Sequence, residues 1–261
     1  MFDTHCHLTF PEFSGRTAEI LQNAAAVGVR GAITISTTAA DCRATSSLAA
    51  QFDNLWCSAG VHPLHSDESL DWPVVKAAAA SPKCVAWGEL GLDNHYDHPP
   101  RSLQDRVLAE QLAFIQSCMT EDQNFRKPIV VHCREAFDDV LAVLRSAPFN
   151  PSRYVFHCFT GTVEDARKVL DFGAWISFTG VVTFANAHEV AQAATLVPAD
   201  RIMVETDSPF LTPEPVRKVR PNEPKYVVHV ASRIAALRGV NPVDLEQQLD
   251  DNARRFFNIQ F

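Results

Sequence analysis

Apolar residues recur along the chain in two alternating rhythms. Short runs rich in Val, Ile and aromatic residues, bounded by turn-forming residues, alternate with longer stretches whose apolar positions return every three or four residues. The short runs predict eight strands, over Met1–Thr4, Gly31–Thr37, Leu55–Ala59, Cys84–Gly88, Pro128–Val131, Tyr154–Phe156, Ala174–Phe178 and Arg201–Val204. The longer pattern predicts helices over Thr17–Val27, Thr38–Phe52, Glu68–Ala80, Leu103–Cys118, Glu135–Ser146, Val163–Asp171 and Ala187–Leu196, then Tyr226–Arg238 and Pro242–Phe257.

Eight strand-then-helix units in 261 residues match a single (β/α)8 TIM barrel over 1–261 in number and size, because parallel neighbours need helical crossovers of this length. A doubly wound open sheet is the competing architecture. No GxGxxG follows the first predicted strand, which favours the barrel. Chemistry in a barrel sits at the C-terminal ends of its strands, so polar residues there carry the most weight.

Five of the ten histidines, His5, His7, His62, His132 and His157, stand at or just after such an end. His5 and His7 are two apart on an extended segment, which turns both rings to one side and Cys6 to the other. Alone, that pair equally suits two polar residues closing a strand. Glu89 follows the fourth strand between glycines, where a helix-capping or surface acid is an equal reading in isolation. His132 and His157 each stop an apolar run. Beyond the eighth strand the same-face rule pairs Glu205 with Asp207, against a solvated turn before Pro209. Together, the ends of strands 1, 4, 5, 6 and 8 supply four His, one Glu and one Asp. Six nitrogen and oxygen ligands without thiolate match a binuclear site for Mg²⁺, Mn²⁺ or Zn²⁺ rather than a structural zinc knot. Two divalent ions can activate water and hold a phosphoryl or carbonyl oxygen, which is the chemistry of hydrolysis.

Charge narrows the partners. Lys and Arg number 23 against 31 Asp and Glu, a net charge of −8 that disfavours wrapping duplex on a broad basic face. A local strip remains, with Arg217, Lys218, Arg220 and Lys225 around Glu223, readable as a phosphate-collecting loop or as ordinary solvated surface. Seven Cys without a CxxC fit a reducing compartment. With no leader pattern ahead of Asp3 and no membrane-length apolar run, a cytoplasmic protein without a membrane partner is expected.

Thr4-His5-Cys6-His7-Leu8, Gly60-Val61-His62-Pro63, Gly88-Glu89-Leu90-Gly91-Leu92-Asp93, Val131-His132-Cys133-Arg134, His157-Cys158-Phe159-Thr160-Gly161 and Glu205-Thr206-Asp207-Ser208-Pro209 follow one another in a telling order. In that order they resemble, from end to end, the TatD-like metal-dependent DNases. The resemblance implies an amidohydrolase-superfamily barrel with nuclease activity on DNA, as a 3′ to 5′ exonuclease, and in some members on RNA. It implies one metal at His5, His7, Glu89 and Asp207 and a second at Glu89, His132 and His157, with Glu89 bridging. Catalytic roles would fall to Asp207, Glu205 and His62, the last as a phosphate contact, and Arg134, Arg220 and Asn222 would face the substrate. Thr9, Thr160 and Phe210 depart from the family's usual Asp, Ser and Tyr, and Pro221 is an addition to its Arg-Asn-Glu-Pro.

Two other readings compete with a nuclease that works as a monomer. One is hydrolysis of a small ester, lactone or amide by the same metals; the other is a metal-stabilised barrel that only binds. The lack of a Lys at the end of the fourth strand weighs against cyclic-amide hydrolases, and the complete ligand set weighs against a scaffold.

Overall fold

Eight short strands, nearly all of their residues buried, set the architecture, because parallel strands covered on both faces need near-continuous apolar sequence. The structure, a computed structural model, describes residues 1–261. Strands β1 (Asp3–Cys6), β2 (Ala32–Thr34), β3 (Leu55–Ala59), β4 (Cys84–Asp93), β5 (Ile129–Arg134), β6 (Tyr154–Phe156), β7 (Trp175–Phe178) and β8 (Ile202–Val204) pair in parallel in chain order. The ends of the sheet meet beyond β8. Cys6 bridges to Ser208, the Asp207 amide donates to His5 O at 2.9 Å, and the His7 amide donates to Ser208 O at 2.8 Å. The result is the TIM barrel that the alternation predicts.

Helices α1 (Thr17–Ala26), α2 (Ala39–Ala49), α3 (Trp72–Ala79), α4 (Arg101–Glu121), α5 (Phe137–Ser146), α6 (Val163–Phe172), α7 (His188–Leu196), α8 (Val227–Arg238) and α9 (Pro242–Phe257) surround the strands. Their boundaries follow local chemistry. Asp71 caps α3 through Val74 N, which starts that helix later than its apolar pattern suggests. In α6, Thr162 and Asp165 cap each other's backbone amides, and Gly173 ends the helix in a left-handed conformation. Apolar residues of strands and helices form one core between the two layers. A second cluster, including Phe2, Ile33, Val130 and Trp175, is sealed by Phe256 and Phe257 of α9 and by Ile259.

The largest departure from expectation is β4, which runs past Gly88 to Asp93. Its second half pairs with β5, Leu90 opposite Val131 and Gly91 opposite His132. Only glycine permits the approach. Gly91 has φ +153°, and a Cβ there would lie 1.9 Å from His132 O. Glu89 is thereby carried within the strand, against the neighbouring histidine.

Candidate metal centre

The strand ends converge on a cleft of about 940 Å³. On one side, His5 and His7 bring their Nε2 atoms to 3.2 Å of each other. Asp207, just past β8 with φ +52°, sets Oδ1 at 3.3 Å from His7 Nε2 and 3.6 Å from His5 Nε2. Glu89 Oε2 completes this group, 3.0 Å from His5 Nε2. The other oxygen faces elsewhere: Glu89 Oε1 lies 3.0 Å from His132 Nδ1, 3.2 Å from His157 Nε2 and 3.0 Å from His62 Nε2. One carboxylate is therefore divided between two sets of donors.

These separations are those of ligands sharing a cation. Two ligands at about 2.0 to 2.1 Å from one tetrahedral zinc lie roughly 3.3 Å apart. Imidazole nitrogens and carboxylate oxygens gather this closely when a proton or a cation lies between them, and Glu89 Oε2 is buried with no hydrogen-bond partner. The sets His5–His7–Asp207, His5–Glu89–His157 and His62–Glu89–His132 each place three ligand atoms within reach of one ion. The donors present fit a divalent metal.

Surrounding groups settle which ring nitrogen carries each proton. His7 Nδ1 donates to Ile35 O at 3.1 Å and His132 Nε2 donates to Asp93 Oδ2 at 2.9 Å, so His7 Nε2 and His132 Nδ1 are the nitrogens turned toward the cluster, each a ligand once deprotonated. His62 is arranged the opposite way. Its Nδ1 accepts from Leu64 N at 3.0 Å, which leaves the proton on Nε2, 3.0 Å from both His132 Nδ1 and Glu89 Oε1. Burial, and after it the neighbouring His132, push His62 down to about 4, so it stays neutral. In this state His62 presents an N–H to the cluster rather than a lone pair for a metal. Burial opposes ionisation of Glu89, yet the surrounding histidines, His157 foremost, outweigh it and hold the carboxyl well below its usual range.

Several residues expected at the site lie elsewhere. Glu205 and Asp207 do not share a face toward the cleft, because β8 ends at Val204 and the left-handed Asp207 breaks the extended alternation. Glu205 sits behind His157: Oε1 accepts from Cys158 N at 2.6 Å and lies 3.4 Å from His157 Nδ1, while Oε2 accepts from Thr4 Oγ1 at 3.3 Å. Arg134 does line the cleft, its guanidinium 5.2 Å above the Tyr96 ring. Arg220 and Asn222 do not line it. Arg220 is turned back on its own loop, donating to Thr212 Oγ1 and to the carbonyls of Arg217 and Val219. Asn222 is fully buried and donates to Thr206 O and Phe210 O. Two of the other basic heads of that loop are also occupied, Arg217 over the Phe184 ring and Lys225 with Glu223 at 2.7 Å.

Two acids were not singled out by sequence pattern. Asp93 orients His132, and its signal was the alternation Glu89, Gly91, Asp93 along one face of a strand. Asp3 accepts from Thr206 N at 2.8 Å and Thr206 Oγ1 at 2.6 Å, fastening the first strand to the segment after the last.

A family profile described as TatD related DNase matches residues 2–258. The chain belongs to this family. It is 34% identical, over 99% of both proteins, to the uncharacterized metal-dependent hydrolase YabD of Bacillus subtilis. It is 33% identical to the 3′-5′ ssDNA/RNA exonuclease TatD of Klebsiella pneumoniae, over 99% of this chain and 98% of that one. Among solved structures, YjjV, a TatD homologue from Escherichia coli K12, superposes with a TM-score of 0.91 at 28% identity, covering 100% of this chain and 98% of that one. Membership in the TatD-related DNases makes the protein a metal-dependent hydrolase and gives the His, Glu and Asp cluster its setting. Relatives of similar identity divide between uncharacterized hydrolases and exonucleases.

Proposed function

We propose that the protein is a phosphodiesterase that removes nucleotides from the 3′ ends of single-stranded DNA, with RNA as a second substrate, using two divalent metal ions. The observation that carries this reading is the divided Glu89 carboxylate, one oxygen toward His5 and the other toward His132 and His157. TatD exonucleases 33% to 35% identical over nearly the whole chain support the substrate class. The net charge of −8 suits the end of a strand better than a wrapped duplex. Seven unpaired cysteines suit a reducing, cytoplasmic setting.

In this reading His5, His7, Glu89 and Asp207 hold one ion, and Glu89, His132 and His157 hold the other. The ions supply Lewis acidity and a water nucleophile at neutral pH. Asp207 has a side chain 14% exposed and faces the cleft, so it would take the proton of the attacking water and return it to the departing sugar oxygen as the P–O ester bond breaks. Arg134 neutralises the phosphate next to the reacting one. Glu205 and Asp93 position His157 and His132.

The test is a panel of 3′-labelled and 5′-labelled single-stranded DNA, duplex DNA, RNA and small esters, each with Mg²⁺, Mn²⁺ and Zn²⁺. Stepwise loss from the 3′ end, abolished by chelation and by Glu89→Ala, is the expected result. Hydrolysis of small esters with no cleavage of any nucleic acid would overturn it.

A further inference from the structure

The chain has 17 Phe, 3 Tyr and 4 Trp, yet only Tyr96 and Phe210 expose about half of their surface, at 49% and 50%. Both line the cleft. They stand on opposite sides of it, Phe210 beyond β8 and Tyr96 beyond β4, four strands apart either way around the barrel.

Neither ring is exposed because its backbone is loose. Phe210 N donates to Asp207 O at 3.0 Å and Phe210 O accepts from the buried Asn222 Nδ2. Its ring meets Phe10 edge-on at 6.0 Å, and Phe10 in turn stacks on the His7 ring at 4.8 Å and 21°. On the far side, Asn94 N donates to Arg134 O at 2.9 Å and Asn94 Nδ2 to Glu135 O at 3.0 Å, which ties the Tyr96 segment to the end of β5. Arg134 lies across the Tyr96 ring. Each half of the donor cluster thus has an aromatic wall beside it, held in place and left open to solvent.

We propose that Phe210, backed by Phe10, and Tyr96, paired with Arg134, stack the two nucleobases that flank the scissile phosphate. The inference rests on the phosphodiesterase reading and adds the recognition it lacks. A flat apolar ring fixed at the mouth of a polar cleft suits the π-face of any base, so such walls are tolerant of sequence. Walls on opposite sides of the metals require the two bases to be splayed apart. Bases paired and stacked in a duplex cannot meet both, and a single-stranded end can. Arg134 fits the Tyr96 wall because a guanidinium lying on one aromatic ring can also reach the phosphate next to the base.

Two measurements test the proposal. The first is binding of a single-stranded trinucleotide containing 2-aminopurine to protein in excess chelator, read by quenching of the base's fluorescence. Wild type should quench, and Phe210→Ala and Tyr96→Ala should each weaken binding by about tenfold, the middle of the range for losing one stacked base. Phe210→Tyr should restore it. The second is kcat/KM on a normal oligonucleotide against one with abasic sugars at the two flanking positions. Wild type should prefer the normal strand by about tenfold or more, and each Ala variant should lose most of that preference. Equal affinity in wild type and both variants would overturn the stacking assignment, as would an equal loss on normal and abasic strands, the sign of a merely structural role. Quenching by wild type with no cleavage under any divalent ion would sustain the stacking and remove the phosphodiesterase reading.

Discussion

His132 donates through Nε2 to Asp93 Oδ2 at 2.9 Å, and this one hydrogen bond decides that Nδ1, not Nε2, faces Glu89. Asp93 is itself fixed, since Oδ1 accepts from His95 N at 2.9 Å. Asp93→Ala frees the ring to turn over or change tautomer. Metal affinity should fall by about 10- to 100-fold, the usual cost of removing such a partner. Activity titrated against Mn²⁺ checks this: the curve should move to higher concentration and approach the wild-type plateau.

Asp207 and Glu205 are two residues apart but should respond differently to loss of charge. Asp207→Asn keeps an oxygen near His5 and His7 but cannot take a proton, and should lose at least about 100-fold in kcat. Glu205→Gln still offers an acceptor to Cys158 N and should cost less than about tenfold in kcat at saturating metal. Equal losses in kcat at saturating metal would give Glu205 the proton-handling role.

Substitution at Gly91 should unfold more than it inactivates. A Cβ there collides with the His132 carbonyl at a φ of +153°, and relief requires β4 and β5 to separate. Gly91→Ala should cost about 3 kcal/mol or more, lowering Tm by roughly 6 to 12 °C in a chain of this size. Gly28 also has a positive φ, +86°, but a Cβ there meets nothing within 4 Å. Gly28→Ala should cost only about 1 kcal/mol. Thermal melts of the two variants side by side make the comparison.

Metal uptake should release protons. Burial works against protonation of His7, His132 and His157, but neighbouring carboxylates outweigh it: Asp207 and Glu89 at His7, Asp93 and Glu89 at His132, Glu89 and Glu205 at His157. All three are raised above the ordinary imidazole value and must lose their protons to become ligands. Affinity should therefore fall as pH drops, beginning at a higher pH than a free imidazole would dictate. Calorimetry at pH 7 in buffers of different ionisation enthalpy should register about one to three protons released per chain. Heats independent of buffer would contradict the raised values.

The barrel and most of the cluster were legible because strand ends are where an apolar run stops, and His132 and His157 stop theirs visibly. The length of β4 was not, since Gly88-Glu89-Leu90-Gly91 interrupts the apolar pattern and its pairing depends on β5, some forty residues later. Aspartate tolerates a left-handed backbone but does not demand one, so the extended rule misplaced Glu205. Arg220 was read from composition and position in a loop, and Asn222 from the family resemblance. Their hydrogen bonds run to Thr212, Thr206 and Phe210, partners that only the folded loop brings near.

The seam that closes the barrel also sets a timetable for the nascent chain. Asp3 and Thr206, which fasten it, are 203 positions apart, and joining so long a loop is the kind of contact that forms late. His5 and His7 leave the ribosome almost at once, whereas Asp207 follows only after seven strands and seven helices have been synthesised. Until then the early histidines lack an acid that completes their set, and an unfinished chain has only a partial trap for passing cations. Full capture of metal becomes a property of the completed barrel alone.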